Sequence, residues 1–137
     1  MKRKAVWAAG ALGLVAALGI AACGGSDSPT QPTNPGGTGG PVAATIVIGA
    51  DGRIVPPANV TVAVGSRVTF TNNHNRVHDM SSDPHPEHTD CPEFRTVGSI
   101  AAGQSRTTEN LVTARRCGFH DHLNPDDAGL RGSITVQ

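Results

Sequence analysis

The chain has 137 residues, and its eleven basic and eleven acidic side chains leave no formal net charge. Every lysine lies within the first four residues; beyond them eight arginines stand against eleven aspartates and glutamates, a formal charge of −3. That balance, with no basic cluster, argues against nucleic acid as a partner. Three phenylalanines and no tyrosine leave a core that aliphatic side chains must largely fill.

In chain order, Lys2, Arg3 and Lys4 precede "AVWAAGALGLVAALGIAA", an apolar run with small residues near its end. This is the pattern of a secretory signal, too interrupted by Gly and Ala to favour a permanent membrane span. Ile20-Ala21-Ala22-Cys23 resembles the lipobox of bacterial lipoproteins. The resemblance implies removal of residues 1–22, lipidation of Cys23 and a membrane-anchored protein of the bacterial cell envelope, on the periplasmic or cell-surface side. Next comes "GGSDSPTQPTNPGGTGGP" (24–41), which contains almost nothing to bury. Gly and Ser keep such a segment flexible and Pro keeps it extended, so residues 23–41 read as a tether. Residues 42–137 are left as one small folded domain.

Within that domain short β-type runs alternate with turn signals. "ATIVIG" (44–49) precedes the turn "ADG"; "NVTVAV" (59–64) alternates Val60, Val62 and Val64 with smaller or polar residues, the period of a half-buried strand. Gly65-Ser66 turns the chain into "RVTFTN" (67–72), and further strands are expected at 76–80, 105–112, 115–119 and 132–136. No stretch has helical periodicity. Strands of this length and spacing predict an all-β sandwich, small enough that a metal or disulfide staple would stabilise it usefully.

All six histidines fall between His74 and His122, and Cys91 and Cys117 lie inside the same window. His85, His88 and Cys91 form an H-x2-H-x2-C spacing in a Pro-rich loop; Cys117, His120 and His122 form a second group. In an exported domain these two cysteines either join as a disulfide or serve a metal, and the residues alone leave both readings open. Asp79 and Asp121 are candidates to orient neighbouring imidazoles. His74 is expected in an exposed turn.

"NVTVAVGSRVTFTNNHNRVHDM" followed, after a long loop, by "RRCGFHDHLNPDDAGLRGSITV" resembles the cupredoxin family of plastocyanin-like blue copper proteins. Four features carry the resemblance: the strand–Gly–strand pattern around Gly65, His78 after an Asn-rich turn, Cys117-x2-His120 between the last two strands, and Leu130-x-Gly-x-Ile-x-Val, with leucine at an axial methionine position. It implies a Greek-key β-sandwich and a type 1 copper site of His78, Cys117 and His120, with non-coordinating Leu130 beside it and His122 as the alternative to His120. Two imidazoles and a thiolate hold Cu(I) and Cu(II) with little rearrangement, which implies an electron-transfer carrier rather than an enzyme, serving a redox partner protein that the sequence does not identify. Three features depart from the family pattern. The loop from Cys117 to Leu130 is longer than usual, Arg115 replaces an inward aromatic, and Cys91 has no counterpart. A type 1 site requires Cys91 to stay outside disulfide reach of Cys117, a Cα separation of about 4.4–6.8 Å. The alternatives are a copper or zinc storage or delivery protein, with a second site open at His85, His88 and Cys91, and a binding module stapled by a Cys91–Cys117 disulfide.

Overall fold

A computed structural model describes residues 39–137; the signal segment, Cys23 and the tether up to residue 38 lie outside the described residues. Among the described residues eight strands form two sheets. β1 (Val42–Ile48), β3 (Arg67–Asn72) and β6 (Ser105–Thr107) make one, in the order β1-β3-β6. The other has the order β2-β8-β7-β4-β5, from β2 (Asn59–Val62), β8 (Gly132–Val136), β7 (Arg115–Asp121), β4 (His78–Ser82) and β5 (Gly98–Ile100). β1 runs parallel to β3 and β2 parallel to β8, while the remaining pairs are antiparallel. No α-helix occurs among the described residues; two short 3-10 turns, Pro92–Thr96 and Ala128–Leu130, complete the set.

Alternation in the sequence becomes the two-sided burial of the strands. In β3, Val68, Phe70 and Asn72 are buried and the residues between them are only partly covered. Gly65 takes φ +87 in the turn before β3, a left-handed conformation that glycine adopts without a Cβ penalty. Phe70 of one sheet meets Phe119 of the other edge-on at 5.2 Å between ring centroids, and Phe94 closes the group at 5.5 Å from Phe70. With so few aromatics, these three rings form the bridge between the sheets, and aliphatic side chains such as Ile46, Ile48, Ile100 and Ile134 fill in around them.

Several boundaries differ from expectation: the strand expected at 44–49 runs Val42–Ile48, that at 59–64 ends at Val62 with Val64 exposed, and that at 115–119 continues to Asp121. The strand expected at 76–80 runs from His78 to Ser82, because Ser81 and Ser82 pair with His120 and Phe119 of β7 despite their weak strand propensity. The strand expected at 105–112 stops at Thr107; beyond it Thr108 and Leu111 still donate to the carbonyls of Val68 and Ser66, but in an irregular path. β5 was not anticipated, since Gly98-Ser-Ile is too short to show alternation.

Candidate metal centre

The site is built on β4 and β7. Met80 pairs with Asp121, Ser81 with His120 and Ser82 with Phe119. Paired residues point to the same face and neighbours to opposite faces. His78, Met80, Cys117, Phe119 and Asp121 therefore face the other sheet, while Ser81, Gly118 and His120 face outward. The ladder continues past the strand ends: Asp83 N–H donates to the Gly118 carbonyl at 2.9 Å and His122 N–H to the Asp79 carbonyl at 2.7 Å.

This alternation separates the expected trio of His78, Cys117 and His120. His78 and His120 lie on opposite faces of one sheet and cannot share an ion. Cys117 is joined to Cys91, with Cα atoms 5.7 Å apart, so it supplies no thiolate. Cys91 lies within disulfide reach after all, and it is likewise removed from the second site suggested with His85 and His88. Leu130 is a buried core residue at the end of the second 3-10 turn.

On the outer face the chain assembles a different group. His120 and His122, two apart on β7 and its extension, point the same way. The loop of residues 83–91 folds over them and brings His85 and His88. One nitrogen from each of His85, His88, His120 and His122 can be chosen so that all four lie within 4.8 Å of one another. Ring centroids of the loop histidines lie 4.9–5.4 Å from those of His120 and His122. His122, expected as an alternative to His120, joins it instead.

Two features fit this group to a metal. His120 is buried, and its Nδ1 contacts Asp83 Oδ1 at 2.7 Å while its Nε2 has no hydrogen-bond partner. A carboxylate on one ring nitrogen sets the tautomer and leaves the other lone pair free, the usual arrangement behind a metal-bound imidazole. A buried nitrogen without a partner otherwise carries a desolvation cost of about 1–3 kcal/mol. Burial, followed by the nearby His120, His122 and His85, holds the His88 pKa below its ordinary value, which favours the neutral ring that a metal requires. His122 Nδ1 and His88 Nε2 are 3.1 Å apart. Donors about 2.0–2.1 Å from a tetrahedral ion sit roughly 3.4 Å from each other, so loading would part this hydrogen-bonded pair slightly and draw in those nitrogens of the group that lie farther apart, up to 4.8 Å.

Gly118 makes the orientation of His120 feasible. A Cβ at this position would run into the Asp83 carboxylate, which lies across the glycine to reach His120. Asp83 was not among the expected orienting carboxylates, Asp79 and Asp121; its place across from Gly118 follows from the β4–β7 register, which the sequence does not show.

The inner face carries the other two histidines. Asp121 Oδ2 accepts from His78 Nδ1 and Asn124 Nδ2, each at 2.9 Å, and Oδ1 accepts from the Asp79 and Leu123 N–H groups. Burial would raise the Asp121 pKa, but the hydrogen bonds from Asn124, Asp79, His78 and Leu123 outweigh it and hold the carboxyl below its usual range. His78 Nε2 meets His74 Nδ1 at 2.9 Å. Buried Asn72 fixes the preceding turn by donating to the Arg76 and Ile100 carbonyls and accepting from His74 N–H. His74 is thus held against His78 rather than standing free. Asp121-x2-Asn124 has the same spacing as Cys117-x2-His120, displaced by four residues, and it is this pair that faces His78 at the end of β7. The displacement accounts for the apparently long loop between Cys117 and Leu130.

No protein-family model matches the chain, and no curated protein matches it either. Solved structures do. A purple cupredoxin from Nitrosopumilus maritimus is 19% identical with a TM-score of 0.52, covering 69% of this chain and 99% of its own. Oxidised plastocyanin from Dryopteris crassirhizoma is 20% identical with a TM-score of 0.53, covering 68% and 99%. A Cu(I) form of an amicyanin mutant is 19% identical with a TM-score of 0.51, covering 69% and 82% by the same order, this chain first. At this level of identity the likeness is one of fold: the domain is a Greek-key β-sandwich of the cupredoxin type.

Proposed function

We propose that this protein binds a transition-metal ion, copper in the first place, on His85, His88, His120 and His122, and serves in metal uptake or delivery at the cell envelope. The observation that carries this reading is the buried, unpartnered Nε2 of His120, oriented by Asp83 and surrounded by three further imidazoles. Four neutral nitrogen donors without a thiolate suit Cu(II) and Zn(II), with copper favoured in intrinsic affinity. The lipobox-like Cys23 and the tether supply the anchoring to a bacterial membrane, on its periplasmic or surface side. Half of the ligand set lies on a loop, which favours a carrier that takes up and releases its ion over one tuned for rapid electron exchange. No catalytic step is assigned to the site.

Titration of the mature protein with Cu(II) tests this. The expected result is one tightly bound ion per chain, a pale visible spectrum and electron paramagnetic resonance splittings from nitrogen donors. An intense charge-transfer band would restore the thiolate site and overturn the proposal, as would failure to bind Cu(II) or Zn(II).

A further inference from the structure

The four-histidine group and the disulfide share one loop and one strand. The loop begins where Asp83 N–H meets the Gly118 carbonyl and ends at Cys91, bonded to Cys117. Both attachment points, like His120 and His122, belong to β7 or its extension. Between them the loop has little backbone support: His88 N–H donates to the Pro84 carbonyl, Asp90 N–H to the Asp83 carbonyl, and Ser82 Oγ contacts the His88 carbonyl and Cys91 N–H. His88 itself is held at φ 54, a left-handed conformation that a residue with a Cβ rarely adopts. His88 and Cys91 also line the same cavity of about 320 Å³, beside Ser81, Phe94 and Arg95.

Resting on the four-histidine reading, we infer that the Cys91–Cys117 disulfide gates the metal site: the loop half of the ligand set stays in place only while the bond is closed, and reduction by a dithiol releases the ion. In that reaction a reductant thiolate attacks one sulfur and the Cys91–Cys117 bond breaks. The second reductant thiol then resolves the mixed disulfide. Two electrons and two protons end on Cys91 and Cys117, the reductant leaves as a disulfide, and the metal keeps its oxidation state. The sandwich has other supports next to the bond. Phe94 remains packed on Phe70 and Phe119, and the Arg115–Glu93 ion pair ties β7 to the turn after Cys91. Reduction therefore frees residues 83–91 rather than the domain. Linkage requires the reverse effect as well: a bound ion makes the disulfide harder to reduce by the same factor. Both cysteines are fully buried, so an ion that clamps the loop also slows attack on the sulfurs.

The test uses Zn(II) alone as probe, on the full mature chain and on a Cys91→Ser/Cys117→Ser double variant. The expected result is at least tenfold weaker Zn(II) binding in the variant, with the far-ultraviolet circular dichroism of the sandwich retained. Equal affinity overturns the gate and leaves the metal site standing. No binding by the wild type removes the metal site itself and the gate with it. Should the double variant fail to fold, the wild type decides through its rate of reduction by a phosphine, which does not present thiols to the zinc. Zn(II) should slow that rate at least tenfold, and an unchanged rate overturns the inference.

Discussion

The two faces of the β4–β7 pair carry the same kinds of side chain and use them in opposite ways. On the inner face His78, His74, Asp121 and Asn124 satisfy one another: the Asp121 carboxylate accepts four hydrogen bonds and His78 is engaged through both ring nitrogens. On the outer face four imidazoles crowd together, and a buried nitrogen is left without a partner. A saturated network specifies structure, whereas an unsaturated one of donor lone pairs calls for a ligand. Clustered histidines are therefore poor evidence of a metal until each ring nitrogen has been followed to its partner.

Breaking the inner network should have the largest effect, and it should fall on stability. Asp121→Ala leaves His78, Asn124 and two backbone N–H groups without their acceptor. Each buried donor left without its acceptor costs about 1–3 kcal/mol, and with four donors stranded a loss of about 4 kcal/mol is expected in urea unfolding of the metal-free protein. A loss below about 1 kcal/mol would mean that water replaces the carboxylate and that the inner face is less committed to structure than its hydrogen bonds indicate.

The outer face should respond in affinity. His120→Ala removes the one ligand that is buried and oriented by a carboxylate, and Zn(II) binding by calorimetry should weaken about a hundredfold, equivalent to about 2.7 kcal/mol. His78→Ala should leave that affinity within about twofold. If the two variants exchange these outcomes, the ion sits on the inner face. A smaller effect is expected from Asp83→Asn, which keeps an acceptor beside His120 Nδ1 but removes the charge. Such changes behind a metal-bound imidazole cost about 10–100-fold in affinity, and a value near tenfold is expected because the amide oxygen still contacts the ring. Unaltered affinity would show that Asp83 does not orient His120.

Much of this was legible in the sequence. The alternation of Val60 and Val62 and of Val68 and Phe70, the turn at Gly65 and the closing strand after Leu130 led to the cupredoxin-type sandwich. The concentration of histidines between residues 74 and 122 coincides with the stretch that supplies both the outer four-imidazole group and the inner His74–His78 pair. Which histidines gather was not legible, because it depends on register. A displacement of four residues decides whether Cys117 or Asp121 faces His78, and a displacement of one decides which face His120 occupies. Spacing on a strand says which residues share a face but not which face it is. The loop of residues 83–91 was harder still: its contribution of His85 and His88 to β7 depends on the Cys91–Cys117 bond, and cysteine spacing left that pairing open between staple and ligand.

His74 gives the smallest and sharpest test of the difference between the faces. It is half-buried, its backbone N–H is fixed by Asn72, and its ring adds one hydrogen bond to His78. A single neutral hydrogen bond contributes about 0.5–1.5 kcal/mol net, so His74→Ala should lower stability by about 1 kcal/mol while His78 keeps its stronger contact with Asp121. Because the His74 ring belongs to the inner network, Zn(II) affinity should stay within about twofold of wild type. That pairing of outcomes is specific to two independent networks. Were His74 and His78 together a metal site, removing His74 would weaken binding at least tenfold, and Zn(II) would no longer protect the variant against unfolding as it protects the wild type. Urea unfolding of wild type and variant, each with and without Zn(II), separates the cases: equal zinc-induced stabilisation in both proteins keeps the ion on the outer face, and loss of that stabilisation in the variant moves it inside.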